Sequence, residues 1–214
     1  MATELDILLQ DVLEGDFLES RVADAKMRHL VDVAFSGNGE PTAAAEFPDA
    51  VGRVVAVLDA HRLRGMLPLR LITNGSLMDR AGVQRGVRTM AEAGGEVWFK
   101  VDGISSDARS RINGTRTPTE AVERRLQCCA SLCPTWLQSC FFEFDGKEPA
   151  TKDIDAYVAW VGARAHILRG VHLYGLARPS MQADAPHLGH LTSKWFDELA
   201  RRLVAQGLKV QISP

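Results

Sequence analysis

Six short apolar stretches recur along this 214-residue chain, and segments of helical periodicity separate them. The stretches are rich in β-branched and aromatic residues, and they span residues 31–36, 69–74, 96–102, 135–143, 170–176 and 208–213. Between them, Val51, Val54, Val55 and Leu58 follow the spacing i, i+3, i+4 and i+7, which is one buried face of a helix. Strands that alternate with helices predict an α/β fold with a parallel sheet, either open or curled into a barrel.

The same helical spacing recurs at 154–161 and 195–203, and again at 5–12, almost at the first residue. The segment Thr117-Pro118-Thr119-Glu120 predicts a helix start with Thr117 as the capping residue. In an alternating fold, a helix normally follows a strand. Either the chain opens with an unpaired helix, therefore, or one strand and its loop belong before it.

Composition limits the classes of function. Lys and Arg number 25 against 27 for Asp and Glu, and no basic tract stands out, which argues against non-specific nucleic-acid binding. The acidic N-terminus does not resemble a signal peptide, and no stretch is long enough to span a membrane. The four cysteines are clustered between residues 128 and 140, unlike a disulfide framework. We therefore expect a single domain over residues 1–214 and a cytoplasmic location.

The distinctive polar residues follow the predicted strands. Gly37-Asn38-Gly39-Glu40, Thr73-Asn74-Gly75, Asp102-Gly103 and the segment 177–180 all stand at strand ends. In parallel sheets, binding groups gather in the loops after the carboxyl ends of the strands. Two glycines let a ligand reach the backbone, and Glu40 offers a carboxylate to an ammonium group. The alternative for this segment is a plain strand-to-helix turn.

Alternation along the strands pairs further polar side chains on one face. Lys100 shares a face with Asp102, as His172 does with Tyr174 and Gln138 with Cys140. Each pair has a structural explanation as satisfied core or rim groups. Their recurrence on successive strands predicts a site in a polar interior or rim.

The segments FSGNGEPT, LITNGSL, VWFKVDG, TWLQSCFFEF and VHLYGLARPS, in this order and spacing, resemble the radical S-adenosylmethionine superfamily. The similarity runs from about residue 5 to the end of the chain. It implies a partial (β/α)6 barrel that binds a 4Fe–4S cluster and S-adenosylmethionine. It also implies an enzyme that cleaves S-adenosylmethionine reductively to a 5′-deoxyadenosyl radical, which takes hydrogen from a substrate.

The resemblance assigns roles by position in the sequence. Gly37, Asn38, Gly39 and Glu40 match the segment that holds the amino group of S-adenosylmethionine, with Thr73 and Asn74 beside it. Lys100 and Asp102 lie on the strand that serves the ribose or the carboxylate. Gln138 and the segment from Tyr174 to Arg178 lie on strands that shape the adenine and substrate side.

One feature of the family is missing from the sequence. Its cluster-binding cysteines, spaced C-x-x-x-C-x-x-C, lie after the first strand, but this chain has no cysteine before residue 128. Cys129 and Cys133 continue an apolar helical stripe with Val122 and Leu126, where cysteine acts as a small apolar residue. We therefore expect that the first strand and the cluster loop belong before Met1, and that this chain alone does not generate the radical.

Other readings stay open. One is a non-catalytic barrel that binds S-adenosylmethionine or a nucleotide, or that only contacts a protein partner. A metal-dependent hydrolase fits poorly, because no cluster of carboxylates and histidines stands at the strand ends, and His187 and His190 are a poor metal pair. Without a preceding strand, the strand at 31–36 becomes an unprotected edge, which predicts a homodimer or poor solubility.

Overall fold

The computed structural model describes residues 1–37, 39–104, 109, 112, 114, 117–176 and 183–213. Its main sheet has six parallel strands in the order β1-β2-β3-β4-β6-β8. The strands are β1 (Val33–Phe35), β2 (Leu69–Thr73), β3 (Glu96–Lys100), β4 (Thr135–Cys140), β6 (Gly170–Tyr174) and β8 (Val210–Ser213). β5 (Glu143–Phe144) and β7 (Leu188–Gly189) form a separate antiparallel pair. The six predicted strands and the α/β fold class are confirmed, each strand being one to three residues shorter than predicted.

Helices alternate with these strands. They are α1 (Ala2–Glu14), α2 (Phe17–Arg21), α3 (Phe47–Ala60), α4 (Ala81–Glu92), α5 (Thr119–Leu132), α6 (Thr151–Gly162) and α7 (Ser193–Val204). The apolar stripes predicted helices at α1, α3, α6 and α7 correctly. None of the helices in the described ranges is long and apolar enough to cross a membrane.

The predicted start of α5 is wrong. The helix begins at Thr119, and its N-cap residue is Pro118, which has no side-chain capping bond. The Thr117 carbonyl accepts from the Arg109 guanidinium at 3.1 Å and does not enter the helix. The Pro118 carbonyl instead accepts from the amides of Ala121 and Val122, and it therefore opens the helical series of hydrogen bonds.

The sheet is open in the described residues. β1 and β8 are its two terminal strands and do not pair with each other, so the barrel is partial. One face of the sheet is the core: on β2, Leu69, Leu71 and Thr73 are buried, and Val97 and Phe99 follow on β3. The opposite face carries half-buried side chains. It is the concave interior of the partial barrel, and it is largely polar and aromatic.

Candidate functional site

The candidate site lies at one edge of the sheet. Because the six strands are parallel, their carboxyl ends meet there. Glu40 follows β1, Thr73 ends β2, Asp102 follows β3 and Tyr174 ends β6. Residues distant in the sequence are therefore neighbours along one rim.

The Glu40 carboxylate ties the end of β1 to the end of β2. Its Oε1 accepts hydrogen bonds from Thr73 Oγ1 (2.6 Å), Thr42 Oγ1 (2.6 Å) and the Thr42 amide (3.2 Å). Its Oε2 accepts from the Asn74 amide at 2.8 Å. Among the described residues, Oε2 thus has a single donor, and a carboxylate oxygen can accept a second. The carboxylate is fixed in place and can still bind a cationic donor.

A tight turn holds the two donors on β2. Thr73 Oγ1 accepts from the Gly75 amide (2.9 Å), and Asn74 Oδ1 accepts from the Ser76 amide (2.8 Å). Gly75 has φ +68°, and a Cβ added there would lie 2.1 Å from the tip of the Phe99 ring. The turn therefore requires glycine. It directs the Asn74 backbone amide, rather than its side chain, at Glu40.

Open space lies beside the glycines that precede Glu40. A Cβ added to Gly37 or to Gly39 would meet nothing within 4 Å. Both residues are exposed, so a ligand can contact their backbone groups directly. Asn38, the third residue of this predicted segment, lies outside the described residues.

Lys100, Asp102 and Tyr174 form a second group at the rim. Lys100 Nζ donates to the Tyr174 hydroxyl and lies 3.8 Å from the Asp102 carboxylate. Asp102 Oδ1 accepts from the Cys140 amide at 2.9 Å. Burial raises the pKa of Tyr174 above its ordinary value, so its hydroxyl stays neutral. The structure thus brings these three predicted residues together.

Gln138 is the remaining predicted residue that lies within the described ranges. It lies in register between Lys100 on β3 and His172 on β6, two residues before the end of β4 at Cys140. Arg178 lies outside the described residues.

A cavity of about 160 Å³ is lined by Asn74 of the first group and by Lys100 and Asp102 of the second, whereas Glu40 and Tyr174 do not line it. Arg109 and Arg125 also line this cavity. Three cationic side chains and one carboxylate therefore face this space. It suits a molecule that carries a negatively charged group.

Sequence reasoning did not find a polar and aromatic cluster on the concave face below the rim. Arg70 Nε donates to Glu96 (2.7 Å), and Glu96 also accepts from the indole nitrogens of Trp98 and Trp136 (3.0 Å each). The His172 ring packs 4.2 Å and 4.7 Å from these two tryptophan rings, between centroids. Burial lowers the pKa of His172 and so favours the neutral imidazole.

The alternation of side chains along β3 and β4 was the available signal for this cluster. It places Glu96, Trp98 and Lys100 on one face of β3, and Trp136 and Gln138 on one face of β4. The hydrogen bonds of Glu96 with Arg70 and with Trp136 join residues that are 26 and 40 positions apart, and the sequence alone does not pair them.

The cysteines do not fit a 4Fe–4S cluster. Cys129 and Cys133 are buried, which confirms the predicted apolar stripe, and all four cysteines are free. Burial raises the pKa of the Cys129, Cys133 and Cys140 thiols to about 12, whereas a cluster needs thiolates. The described residues contain no group of three His, Cys, Asp or Glu side chains that could hold a metal ion. His187 Nδ1 pairs with Asp145 at 2.6 Å.

Comparison with known proteins supports the fold. No protein-family model matches the sequence, and no curated protein matches it significantly. Among solved structures, a domain of pyruvate-formate lyase-activating enzyme from Bacteroides vulgatus matches with a TM-score of 0.57 and 13% identity, over 86% of this chain and 99% of that one.

Two further structures match over most of this chain. Streptococcus suis SuiB bound to S-adenosylmethionine has a TM-score of 0.60 and 10% identity, over 99% of this chain and 41% of SuiB. A radical SAM methyltransferase from Sphaerobacter thermophilus has a TM-score of 0.57 and 16% identity, over 92% of this chain and 56% of that enzyme. The chain therefore has the fold of radical SAM enzymes, and it spans about half of the length of these two proteins or less.

Proposed function

We propose that this chain binds S-adenosylmethionine at the rim and is the S-adenosylmethionine-binding part of a radical SAM enzyme. The observation that carries this proposal is the Glu40 carboxylate, fixed by Thr42, Thr73 and the Asn74 amide beside two glycines with open space above them. The shared fold supports it, because one protein with this fold, SuiB, was crystallised with S-adenosylmethionine.

Each rim residue has a role in this proposal. The ammonium of the methionine moiety donates to Glu40 Oε2, and Gly37, Asn38 and Gly39 allow that moiety to approach the backbone. Thr73 and Asn74 orient Glu40. Lys100 and Asp102 serve the ribose or the carboxylate.

Gln138, Tyr174 and Arg178 complete the adenine and substrate side. The cavity lined by Asn74, Lys100 and Asp102 supports these contacts, because it offers space beside residues of both groups.

Cleavage of S-adenosylmethionine needs more than this chain offers. In radical SAM enzymes a 4Fe–4S cluster supplies the electron for the reductive cleavage, and the buried thiols here do not provide thiolate ligands. We therefore propose that this chain by itself binds the cofactor without cleaving it. Anaerobic reconstitution with iron and sulfide, followed by dithionite and S-adenosylmethionine, should give no bound cluster and no 5′-deoxyadenosine. A stoichiometric cluster that depends on these cysteines would contradict this.

Calorimetric titration with S-adenosylmethionine tests the binding proposal. Glu40→Gln removes the charge-assisted hydrogen bond to the ammonium, and affinity should fall about ten- to a hundredfold, because hydrogen bonds to charged groups contribute about 1.5–3 kcal/mol. Glu46→Gln is the matched control, since Glu46 is exposed and belongs to the same segment. Equal affinity of the two variants would refute the role of Glu40.

A second pair of variants tests the approach of the ligand to the glycines. Gly39→Ala adds a methyl group to open space, so the fold should be unchanged while the affinity for S-adenosylmethionine drops. Gly52→Ala is the control, because Gly52 lies in α3, also with nothing within 4 Å of an added Cβ. It should leave affinity unchanged and stabilise the helix by about 0.5–1 kcal/mol.

A second candidate function is binding of S-adenosylmethionine or a nucleotide without any radical chemistry. The protonated, buried thiols favour it. Titration with S-adenosylhomocysteine and with ATP separates the candidates. A pure nucleotide-binding protein would bind ATP as tightly as S-adenosylmethionine, and its affinity would not depend on Glu40.

We also propose that the chain forms a homodimer. Strand β1 is terminal in the sheet, its central residue Ala34 is exposed, and the side chain of Val31 just before it is 57% exposed. These features support a homodimer through the β1 edge. We also propose a cytoplasmic location, which the four free thiols favour.

A further inference from the structure

A mainly apolar cavity lies beside the rim and has no role so far. It has a volume of about 380 Å³, within the range of small-molecule pockets. Its floor is the end of β4, and its walls are the segment after β3 and the first turns of α6. Its apolar lining consists of Ile104, Ile112, Phe141, Phe142, Phe144 and Ile154.

The walls of this cavity are held in place by packed contacts. The Tyr157 hydroxyl, fully buried at the back, lies 2.7 Å from Ser139 Oγ, which donates to the Val101 carbonyl at 2.6 Å. The Phe141 ring packs edge-on against Tyr157 with centroids 5.2 Å apart. Asp145 and His187, 2.6 Å apart, join β5 to β7 at the mouth. These contacts tie the walls of the cavity to the core, so a ligand needs to order few side chains when it binds.

The charges around the cavity select one class of ligand. Among its described lining residues, four of the five charged side chains are carboxylates: Asp102, Asp145, Glu148 and Asp153 stand against Lys147. The two other titratable lining groups are neutral, because burial raises the pKa values of Tyr157 and Cys140. Phenylalanine ring faces also attract cations. Lys100 and His187 face two of these carboxylates, Asp102 and Asp145, from outside the lining, so the balance of charge stays negative by a smaller margin. A positively charged group is therefore favoured over an anion.

We propose that this cavity is a second binding site, for an amine that carries an apolar ring or branched chain. Its apolar body lies among the phenylalanines and its ammonium faces the carboxylates. The cavity shares Asp102 and Gly103 with the 160 Å³ cavity at the rim. A bound amine therefore lies next to the proposed S-adenosylmethionine site. We assign the cavity as the substrate pocket on this basis, and this assignment rests on the proposed function.

Three probes of the same ring size test the ligand class: 2-phenylethylamine, 2-phenylethanol and phenylacetate. In NMR chemical-shift titrations of the full chain without S-adenosylmethionine, the amine should bind about fivefold or more tighter than the carboxylate, with the alcohol between them. Its largest shifts should fall on the amides of Phe142, Phe144 and Asp153. Tighter binding of phenylacetate, or no binding of the amine, would overturn the proposal.

Two pairs of variants locate the amine. Ala150 is an exposed residue of the lining, so Ala150→Leu should fill the cavity and weaken the binding of 2-phenylethylamine at least about tenfold. Ala156 is exposed on α6 outside the lining, so Ala156→Leu should leave this binding unchanged. Asp153→Asn should bring the affinities of amine and carboxylate closer together. Asp155 accepts a hydrogen bond from Arg202, so Asp155→Asn should leave the ratio of the amine and carboxylate affinities unchanged. Equal effects within either pair would overturn the assignment to this cavity.

Repeating the titration in saturating S-adenosylmethionine separates the two claims. Binding of the amine alongside S-adenosylmethionine supports a distinct site. Competitive displacement from the same amides would assign the cavity to the nucleoside itself and overturn the proposal. If S-adenosylmethionine does not bind at all, the proposed function falls. The cavity site is still decided, because its own titration contains no S-adenosylmethionine.

Discussion

Gly75 lies between the two parts of the rim, and Gly75→Ala should damage both the fold and the site. The residue adopts φ +68°, and a Cβ there would lie 2.1 Å and 2.2 Å from two atoms of the Phe99 ring. Phe99 is 1% exposed within the core face of β3, so its ring must shift against packed neighbours or towards the 160 Å³ cavity that it lines.

Two costs add in this variant. A left-handed conformation costs a non-glycine residue about 1–2 kcal/mol. Overpacking the core against Phe99 costs about 1–3 kcal/mol more. The free energy of unfolding should therefore fall by about 2–5 kcal/mol, a large part of the roughly 5–15 kcal/mol that domains possess.

Urea denaturation followed by tryptophan fluorescence measures the loss, and Gly65→Ala separates the two costs. Gly65 has φ +73°, but an added Cβ meets nothing within 4 Å there. That variant should lose only the backbone cost of about 1–2 kcal/mol. The difference between the two variants is the steric cost of meeting Phe99.

The folded fraction of Gly75→Ala should also bind S-adenosylmethionine more weakly, because the turn positions Thr73 and Asn74 against Glu40. Gly65→Ala should bind normally. If both variants lose the same free energy of unfolding within about 0.5 kcal/mol, or if affinity is unchanged in Gly75→Ala, the reasoning about this turn is refuted.

Three other predictions follow from particular contacts. Arg109→Met should destabilise the chain by about 3 kcal/mol, because it leaves half-buried acceptors at Ile104, Thr117 and Thr119 without this donor. Arg125→Met loses a surface ion pair and should cost about 1 kcal/mol or less; equal losses in urea titrations would contradict this. Because burial lowers the folded-state pKa of His172, its contribution to stability is fully present above pH 6.5 and is lost as the pH falls below that value. A His172→Gln variant should therefore lack this part of the pH dependence, and identical pH–stability curves would refute the prediction. Light scattering should show a dimer that Ala34→Pro converts to a monomer, and a monomeric parent chain would contradict the exposed-edge argument.

The strands and their common direction could be predicted because apolar alternation and turn signals are local. The end of β2 shows this: Leu69, Leu71 and Thr73 alternate with less buried residues, and Gly75 marks the turn. The placement of Glu40, Thr73 and Asn74 at one edge then follows from parallel pairing.

Contacts between distant residues could not be predicted. The Glu96 carboxylate accepts from two indoles and a guanidinium on three strands; its own strand places Trp98 on the same face, but nothing in that strand indicates Arg70 or Trp136 as partners. The strands β5 and β7 have two residues each, too few for an alternating pattern. The helix cap was predicted at Thr117, one residue early, because the local segment does not reveal that the Thr117 carbonyl accepts from Arg109, eight residues upstream.

The most direct test of the central claim is a map of backbone amide shifts on adding S-adenosylmethionine to the labelled chain. The account predicts saturable shifts, largest at Gly37, Gly39, Asn74 and Gly103 around the rim, that need about ten- to a hundredfold more S-adenosylmethionine to saturate in Glu40→Gln. Saturable shifts at the opposite end of the sheet, around residues 166–169, or no shifts at all, would contradict it.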